Sequence, residues 1–182
     1  MLTFLTYFVP NVSQARTQNL PGLSINVPMF NQSTYYTCGP ASSMSVLKYF
    51  GLGKGNNEMY LANLMKTSTE TGTRFWNLAE VLNQRGLSAV VYTGLSIADL
   101  RNALRKNQAV IINFDYDGGH YVVLAGMDNT HVYFMDPWYT FSTYQKWEIP
   151  HFEAQWYDSH DGVRYERLGI IIDKARRRSK LH

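Results

Sequence analysis

Thr37-Cys38-Gly39-Pro40-Ala41-Ser42-Ser43-Met44-Ser45-Val46-Leu47-Lys48-Tyr49-Phe50-Gly51 is the stretch from which the rest of the chain is read. Cys38–Phe50 predicts a helix. Thr37 stands at its N-cap, Pro40 falls in the first turn where a missing N–H costs nothing, and Gly51 stops it. Ala41, Met44, Val46, Leu47 and Phe50 make an apolar stripe, so the helix packs on a core. Its first residue is the only cysteine of the 182-residue chain. A thiol at that place lies over backbone N–H groups that have no helical partner and at the positive end of the helix dipole, which favours thiolate. Gly39 beside it keeps a side chain from crowding whatever approaches the sulfur.

Outward from this helix the pattern changes halfway along the chain. Upstream, Ile25–Phe30 alternates as a short strand and Asn31–Thr37 is a polar, aromatic loop. Downstream, Asn57–Met65 and Phe75–Arg85 predict amphipathic helices, the second stopped by Gly86. Ala89–Tyr92 is a brief strand, and Ser96 caps a helix over Ile97–Lys106. Ala109–Phe114 is a continuous apolar run, the signature of a central strand covered on both faces. Asp115-Tyr116-Asp117-Gly118-Gly119 is a turn, and His120–Gly126 and His131–Met135 are the strands of a hairpin. Tyr144–Ile149 reads as an edge strand, Pro150 opens a short helix over His151–Trp156, and Arg167–Ile172 closes the sheet. A helical first half packed on an antiparallel second half is an α+β domain spanning residues 25–173.

Composition bounds what such a domain does. The chain is 45% hydrophobic, 14% aromatic and 17% charged, which excludes a disordered, solvating polymer. No run reaches the roughly 18–20 apolar residues of a membrane-spanning helix. One cysteine excludes an internal disulfide framework and a multi-cysteine metal site. The net charge of +3 is a property of the tail: without residues 173–182 the chain holds 12 basic and 13 acidic residues. The basic segment 174–182 reads as a solvated terminus, and no basic patch interleaved with aromatics points to nucleic acid. Residues 1–24 form an arm, ending in Leu20-Pro21-Gly22. Met1–Ala15 has an apolar stretch and small residues at Ser13-Gln14-Ala15 but no preceding Lys or Arg. It is therefore either the remnant of a signal peptide, implying a secreted or periplasmic protein, or a lead-in packed on a cytoplasmic one.

Three more residues join Cys38 in a chemical constellation. His120 follows two glycines at the start of an apolar strand, where an imidazole reaches across to a helix N-terminus as a general base needs to. Asp136 ends the next strand, before Pro137-Trp138. Antiparallel pairing brings it to His120, where a carboxylate fixes the imidazole tautomer and steadies the imidazolium. Gln32, six residues before Cys38, has an amide that can join the Cys38 N–H in donating to an oxyanion. Gly39, Gly119 and Trp138 are the nearest candidates for substrate contact, with Tyr35, Tyr36, Trp76 and Tyr139 as further groove aromatics. His131, His151, His160 and His182 lie in turn, polar or terminal surroundings and build no metal site with neighbouring carboxylates. Gly51-Leu52-Gly53-Lys54-Gly55 lacks the strand-before, helix-after setting of a phosphate loop.

The segments Gln32-Ser33-Thr34-Tyr35-Tyr36-Thr37-Cys38-Gly39-Pro40-Ala41-Ser42, Gly119-His120-Tyr121-Val122-Val123-Leu124 and Met135-Asp136-Pro137-Trp138 together resemble the C39 and C39-like cysteine peptidases. The closing Phe152-Glu153-Ala154-Gln155-Trp156 is similar to that family's end of domain, so the resemblance covers Ile25–Asp173. It implies a papain-like fold and hydrolysis of a peptide bond in a peptide or protein substrate, with no metal or organic cofactor. It also implies Cys38 as nucleophile, His120 as general acid/base, Asp136 as its orienting partner and Gln32 as oxyanion donor. Members fused to export transporters process peptide precursors after a double-glycine leader. This chain has Thr37 where those enzymes carry an acidic residue, and Pro40 after Cys-Gly, and so is closer to stand-alone relatives. Two alternatives remain open: acyl transfer or deamidation, since phytochelatin-synthase-like enzymes share a Cys-Gly-x-Ala-Ser helix start, and a catalytically silent peptide-binding domain.

Overall fold

A computed structural model describes residues 19–115, 118–139, 143–160 and 162–175. The N-terminal arm up to residue 18, with its signal-peptide segment, and the basic tail beyond residue 175 lie outside the described residues. In chain order the elements are β1 (Leu23–Ser24), α1 (Cys38–Tyr49), α2 (Glu58–Leu64), α3 (Phe75–Gln84), β2 (Leu87–Tyr92), α4 (Ile97–Arg105), β3 (Ala109–Phe114), β4 (His120–Met127), β5 (His131–Met135), β6 (Gln145–Glu148), α5 (Ile149–Gln155), β7 (Tyr157–His160), β8 (Val163–Glu166) and β9 (Gly169–Lys174).

The strands form one antiparallel sheet in the order β2-β9-β3-β4-β5-β6, with β1 added beside β4, and a separate β7–β8 ribbon. Every residue of β3 and β4 is buried, which is why both read as unbroken apolar runs rather than as alternating strands. The polar exceptions within them are Asn113 and His120. The β4–β5 hairpin is set by Asp128, whose carboxylate accepts from the N–H groups of Thr130 and His131 and from the Tyr133 hydroxyl. These bonds hold Asp128 ionised well below the usual carboxylate range, the Tyr133 hydroxyl contributing most. The hairpin pairs Val123 with Met135, which carries the first residue of β4 and the residue after β5 to the same end of the sheet.

Helix α1 lies on β4 through small residues. Ala41, Ser42, Ser43 and Ser45 are all fully buried, and Ser42 Oγ donates to the Tyr121 carbonyl at 3.1 Å. The remaining core gathers Leu47, Leu61, Leu78, Leu82 and Leu100 from the helices around the sheet, with Phe152 and Trp156 stacked at a centroid distance of 4.7 Å.

Four expectations change. Ile25–Phe30, expected as a strand, forms none; the strand here is Leu23–Ser24, followed by one further bond from Ile25 N–H to the Ala125 carbonyl. Pro28 has no N–H to extend the ladder, and the carbonyls of Val27 and Pro28 are taken by Tyr144 and Ser45. Thr37 occupies the N-cap position of α1 without capping it, because its hydroxyl is tied back to Thr34. The last strand, β9, inserts between β2 and β3 instead of closing an edge. The β7–β8 ribbon, four residues a side, is not among the expected strands, although Val163-Arg164-Tyr165-Glu166 alternates.

Phe152 is fully buried against Phe134 and Trp156. Phe152→Ala is expected to cost about 3–5 kcal/mol of unfolding free energy, measured by urea titration with unchanged slope.

Candidate active site

Cys38 opens α1, buried but facing two cavities that meet at its side chain. Because no side chain caps the helix, the N–H groups of its first turn are left for another acceptor. The loop before it is anchored at both ends: Thr34 and Thr37 are tied together, and Gln32 N–H donates to the Pro137 carbonyl at 2.9 Å.

His120, at the first position of β4, holds both partners at once. Its Nε2 lies 2.8 Å from Asp136 Oδ1, and its side chain hydrogen-bonds to Cys38, for which Nδ1 is the nitrogen left over. Asp136 is itself pinned, because the same Oδ1 accepts the Trp138 N–H at 2.9 Å. Burial works to strip the proton from the His120 ring, but the hydrogen bond to Asp136 and then the bond and charge of Cys38 outweigh it and lift the imidazole to about 9. Phe114, its cross-strand neighbour, covers the ring edge-on at 5.7 Å.

Of the residues singled out by sequence, Cys38, His120 and Asp136 are therefore brought together. Gln32 stands in the loop before Cys38, where its Nε2 gives one proton to the Thr34 carbonyl at 2.7 Å, and it lines a hollow with Trp138. A Cβ at Gly39 would sit 2.8 Å from Thr73 Cβ and Oγ1, so the glycine also admits the chain's own 69–74 loop. Gly119, at φ +99°, lines both cavities, and Trp138 is 54% exposed over the smaller one. Tyr35 and Tyr139 also line the smaller cavity and Tyr36 the larger, while Trp76 lines neither and packs beside His160.

The smaller cavity, about 170 Å³, holds His120, Asp136, Trp138 and Trp147. The larger, about 390 Å³, holds Cys38 and Gly119 with Asn113, Tyr121, Ser159, His160 and the 69–74 loop, but not His120. Sequence reading missed this second wall. Its one signal was Asn113, a lone amide inside the apolar run Ala109–Phe114. Asp158 and His160 had none, since only the ribbon's packing against β3 carries them there. Among the described residues no three His, Cys, Asp or Glu side chains are grouped to hold a metal ion, and no helix is long and apolar enough to cross a membrane.

A helix-borne thiol, a strand-borne imidazole and a carboxylate on the adjoining turn thus stand together on one antiparallel sheet. The family sequence model that matches residues 24–163 is that of the Peptidase_C39-like family, and the chain belongs to it. An uncharacterized protein of Methanothermobacter thermautotrophicus is 37% identical over 106 residues, 58% of this chain and 68% of its own. A second, from Methanothermobacter marburgensis, is 33% identical over the same extent. Among solved structures, the double glycine motif protease of an AMS/PCAT transporter, in complex with its leader peptide, superposes with a TM-score of 0.60 at 20% identity, covering 84% of this chain and 94% of that one. The peptidase domain of Streptococcus ComA gives 0.59 at 20%, covering 81% and 98%. The fold is that of C39 peptidase domains.

The imidazole's raised value has a sign that can be tested. Because it lies above the ordinary 6.5, the His120 contacts contribute fully to stability below that pH and lose their contribution as pH rises through about 9. A ¹⁵N NMR titration of the ring is expected to show a midpoint near 9 in the native protein. The midpoint should fall in Asp136→Asn and in Cys38→Ala, each of which removes one of the groups that raise it.

Proposed function

We propose that this protein is a cysteine peptidase that cleaves a peptide bond through Cys38, His120 and Asp136. The observation that carries the reading is the single imidazole bonded at once to thiol and carboxylate, where two clefts meet. The leader peptide held by the transporter protease supports a peptide as the substrate class.

In the reaction, Cys38 Sγ attacks the carbonyl carbon, an S–C bond forms, and the carbonyl π electrons move to oxygen. The oxyanion takes the Cys38 backbone N–H at the uncapped helix start. Gln32 supplies the second donor with the amide proton that Thr34 does not hold. As the tetrahedral adduct collapses, the C–N bond breaks and the leaving nitrogen takes the proton of the His120 imidazolium. Water then attacks the thioester, His120 accepts its proton, and C–S cleavage releases the acid and restores the thiolate–imidazolium pair. Asp136 keeps the ring in the tautomer that faces sulfur throughout.

Cys38→Ala is expected to abolish cleavage of a peptide library without changing the circular dichroism spectrum. His120→Ala should abolish alkylation of Cys38 by an epoxysuccinyl probe, read by mass spectrometry. In the native enzyme kcat/KM should decline above about pH 9 as His120 loses its proton, and this limb should move to lower pH in Asp136→Asn. Gln32→Ala should lower kcat by about a hundredfold with little change in KM. Native activity in Cys38→Ala would overturn the reading. Aminolysis products on adding amines would place the enzyme among acyltransferases instead.

A further inference from the structure

The larger cavity beside Cys38 has a wall that the cleavage chemistry leaves unused. Asn113 is 2% exposed, the penultimate residue of β3, and its Nδ2 donates to Asp158 Oδ2 at 2.5 Å. That bond fixes the amide's orientation, because the reverse would set oxygen against oxygen. Asn113 Oδ1 is thereby turned away from Asp158, and it accepts no hydrogen bond among the described residues. A buried amide oxygen without a donor is destabilising. It calls for a donor from outside the chain, such as a water or a ligand.

The surroundings give that place a charge. Asp158, 1% exposed, stands behind Asn113 with Oδ1 accepting from Ser159 N–H. His160 Nε2 is 2.7 Å from Asp158 Oδ2 but off the line of a good hydrogen bond, so it blunts that charge only in part. Asn113 Oδ1 and the Ser159-bonded Asp158 Oδ1 both lie near Gly119. A Cβ built there would lie 2.9 Å from Asp158 Oδ1 and 3.8 Å from Asn113 Oδ1, and of the two carboxamide and carboxylate groups only that of Asn113 lines the larger cavity. At the rim, Glu70 is held ionised, below its ordinary range, by the hydroxyls of Thr69 and Ser68. The cation on this wall, Arg74, has its guanidinium laid over the Trp76 ring, 5.2 Å from the centroid.

The position of this wall relative to the scissile bond follows from the proton. The leaving amine must take its proton from His120, and His120 lines the smaller cavity and not the larger. The leaving group therefore occupies the smaller cavity, and the acyl half of the substrate occupies the larger. From this we infer that the larger cavity is a specificity pocket for a cationic, donor-bearing side chain, lysine or arginine, at the first or second residue on the acyl side, with Asn113 Oδ1 as its acceptor and Asp158 and Glu70 as its counter-charges. The assignment rests on the peptidase reading. It makes Asn113 a specificity residue and gives Gly119 its role at the cleft.

The test uses peptidyl chloromethyl ketones that differ only in carrying lysine, norleucine or glutamate at each of those two positions. Cys38 sulfur displaces chloride to form a thioether, so the rate of inactivation reports acyl-side fit without turnover. Native protein is expected to react about tenfold faster with the lysine probe than with the norleucine probe, and more slowly still with glutamate, as one charge-assisted hydrogen bond gives. Asn113→Leu should bring the lysine and norleucine rates together. Glu70→Lys, on the exposed rim and without risk to the core, should narrow the lysine-to-glutamate ratio. Equal rates for all probes in native protein, or a lysine advantage untouched by both substitutions, would overturn the pocket. If iodoacetamide alkylates Cys38 while the peptidyl rates are flat, the pocket falls and the nucleophile stands. If neither reagent reaches Cys38, the peptidase reading falls and takes the pocket with it.

Discussion

The close approach of one helix to one strand is the constraint on which the site depends. The first two turns of α1 carry the small residues Gly39, Ala41, Ser42, Ser43 and Ser45, every one of them buried. Side chains this small let the helix sit down on β4, and the Ser42 hydroxyl satisfies itself on the Tyr121 carbonyl as it does so. The residue after that helix's N-cap and the residue before Tyr121 are then forced together, and these are Cys38 and His120. A leucine or phenylalanine stripe in the same place would stabilise the core through greater burial, but would hold the sulfur out of the imidazole's reach.

The same approach is enforced from the flank. Gly39 admits Thr73, whose hydroxyl bonds Thr67 and whose carbonyl accepts the Tyr121 hydroxyl at 2.8 Å. Helix start, strand start and the 69–74 loop are thus tied into one block, so that the cleft has fixed walls rather than wandering loops. On the other side the hairpin turn at Asp128 fixes the register that delivers Asp136, and the loop before Cys38 is hung from the Pro137 carbonyl. Desolvation alone would make His120 a neutral ring. Two partners within reach reverse that, which is why the buried imidazole holds its proton to about pH 9.

Two histidine–carboxylate pairs flank Cys38 and do different work. In His120–Asp136 the geometry is that of a direct hydrogen bond, and the carboxylate's other duty is a single backbone N–H. In His160–Asp158 the carboxylate is shared among Asn113, the Ser159 N–H and an ill-aligned imidazole. The first arrangement suits the proposed proton transfer; the second suits the proposed acceptor wall. On the proposed reading, one side of Cys38 serves proton transfer and the other serves recognition of substrate.

Much of this was legible from residues alone, for local reasons. A thiol at a helix start with a proline in the first turn, unbroken apolar runs over β3 and β4, and a histidine behind two glycines are readable because each depends on neighbours in sequence. The junction of His120 with Asp136 was legible because a short hairpin converts sequence spacing into spatial pairing. The tertiary structure alone decided where the Gln32 amide turns, that Thr73 packs beside Gly39, and that the β7–β8 ribbon brings Asp158 and His160 to Asn113. Those outcomes rest on contacts between segments 34 to 47 residues apart or on competition between nearby acceptors, and no periodicity records which partner a polar group will take once it is buried.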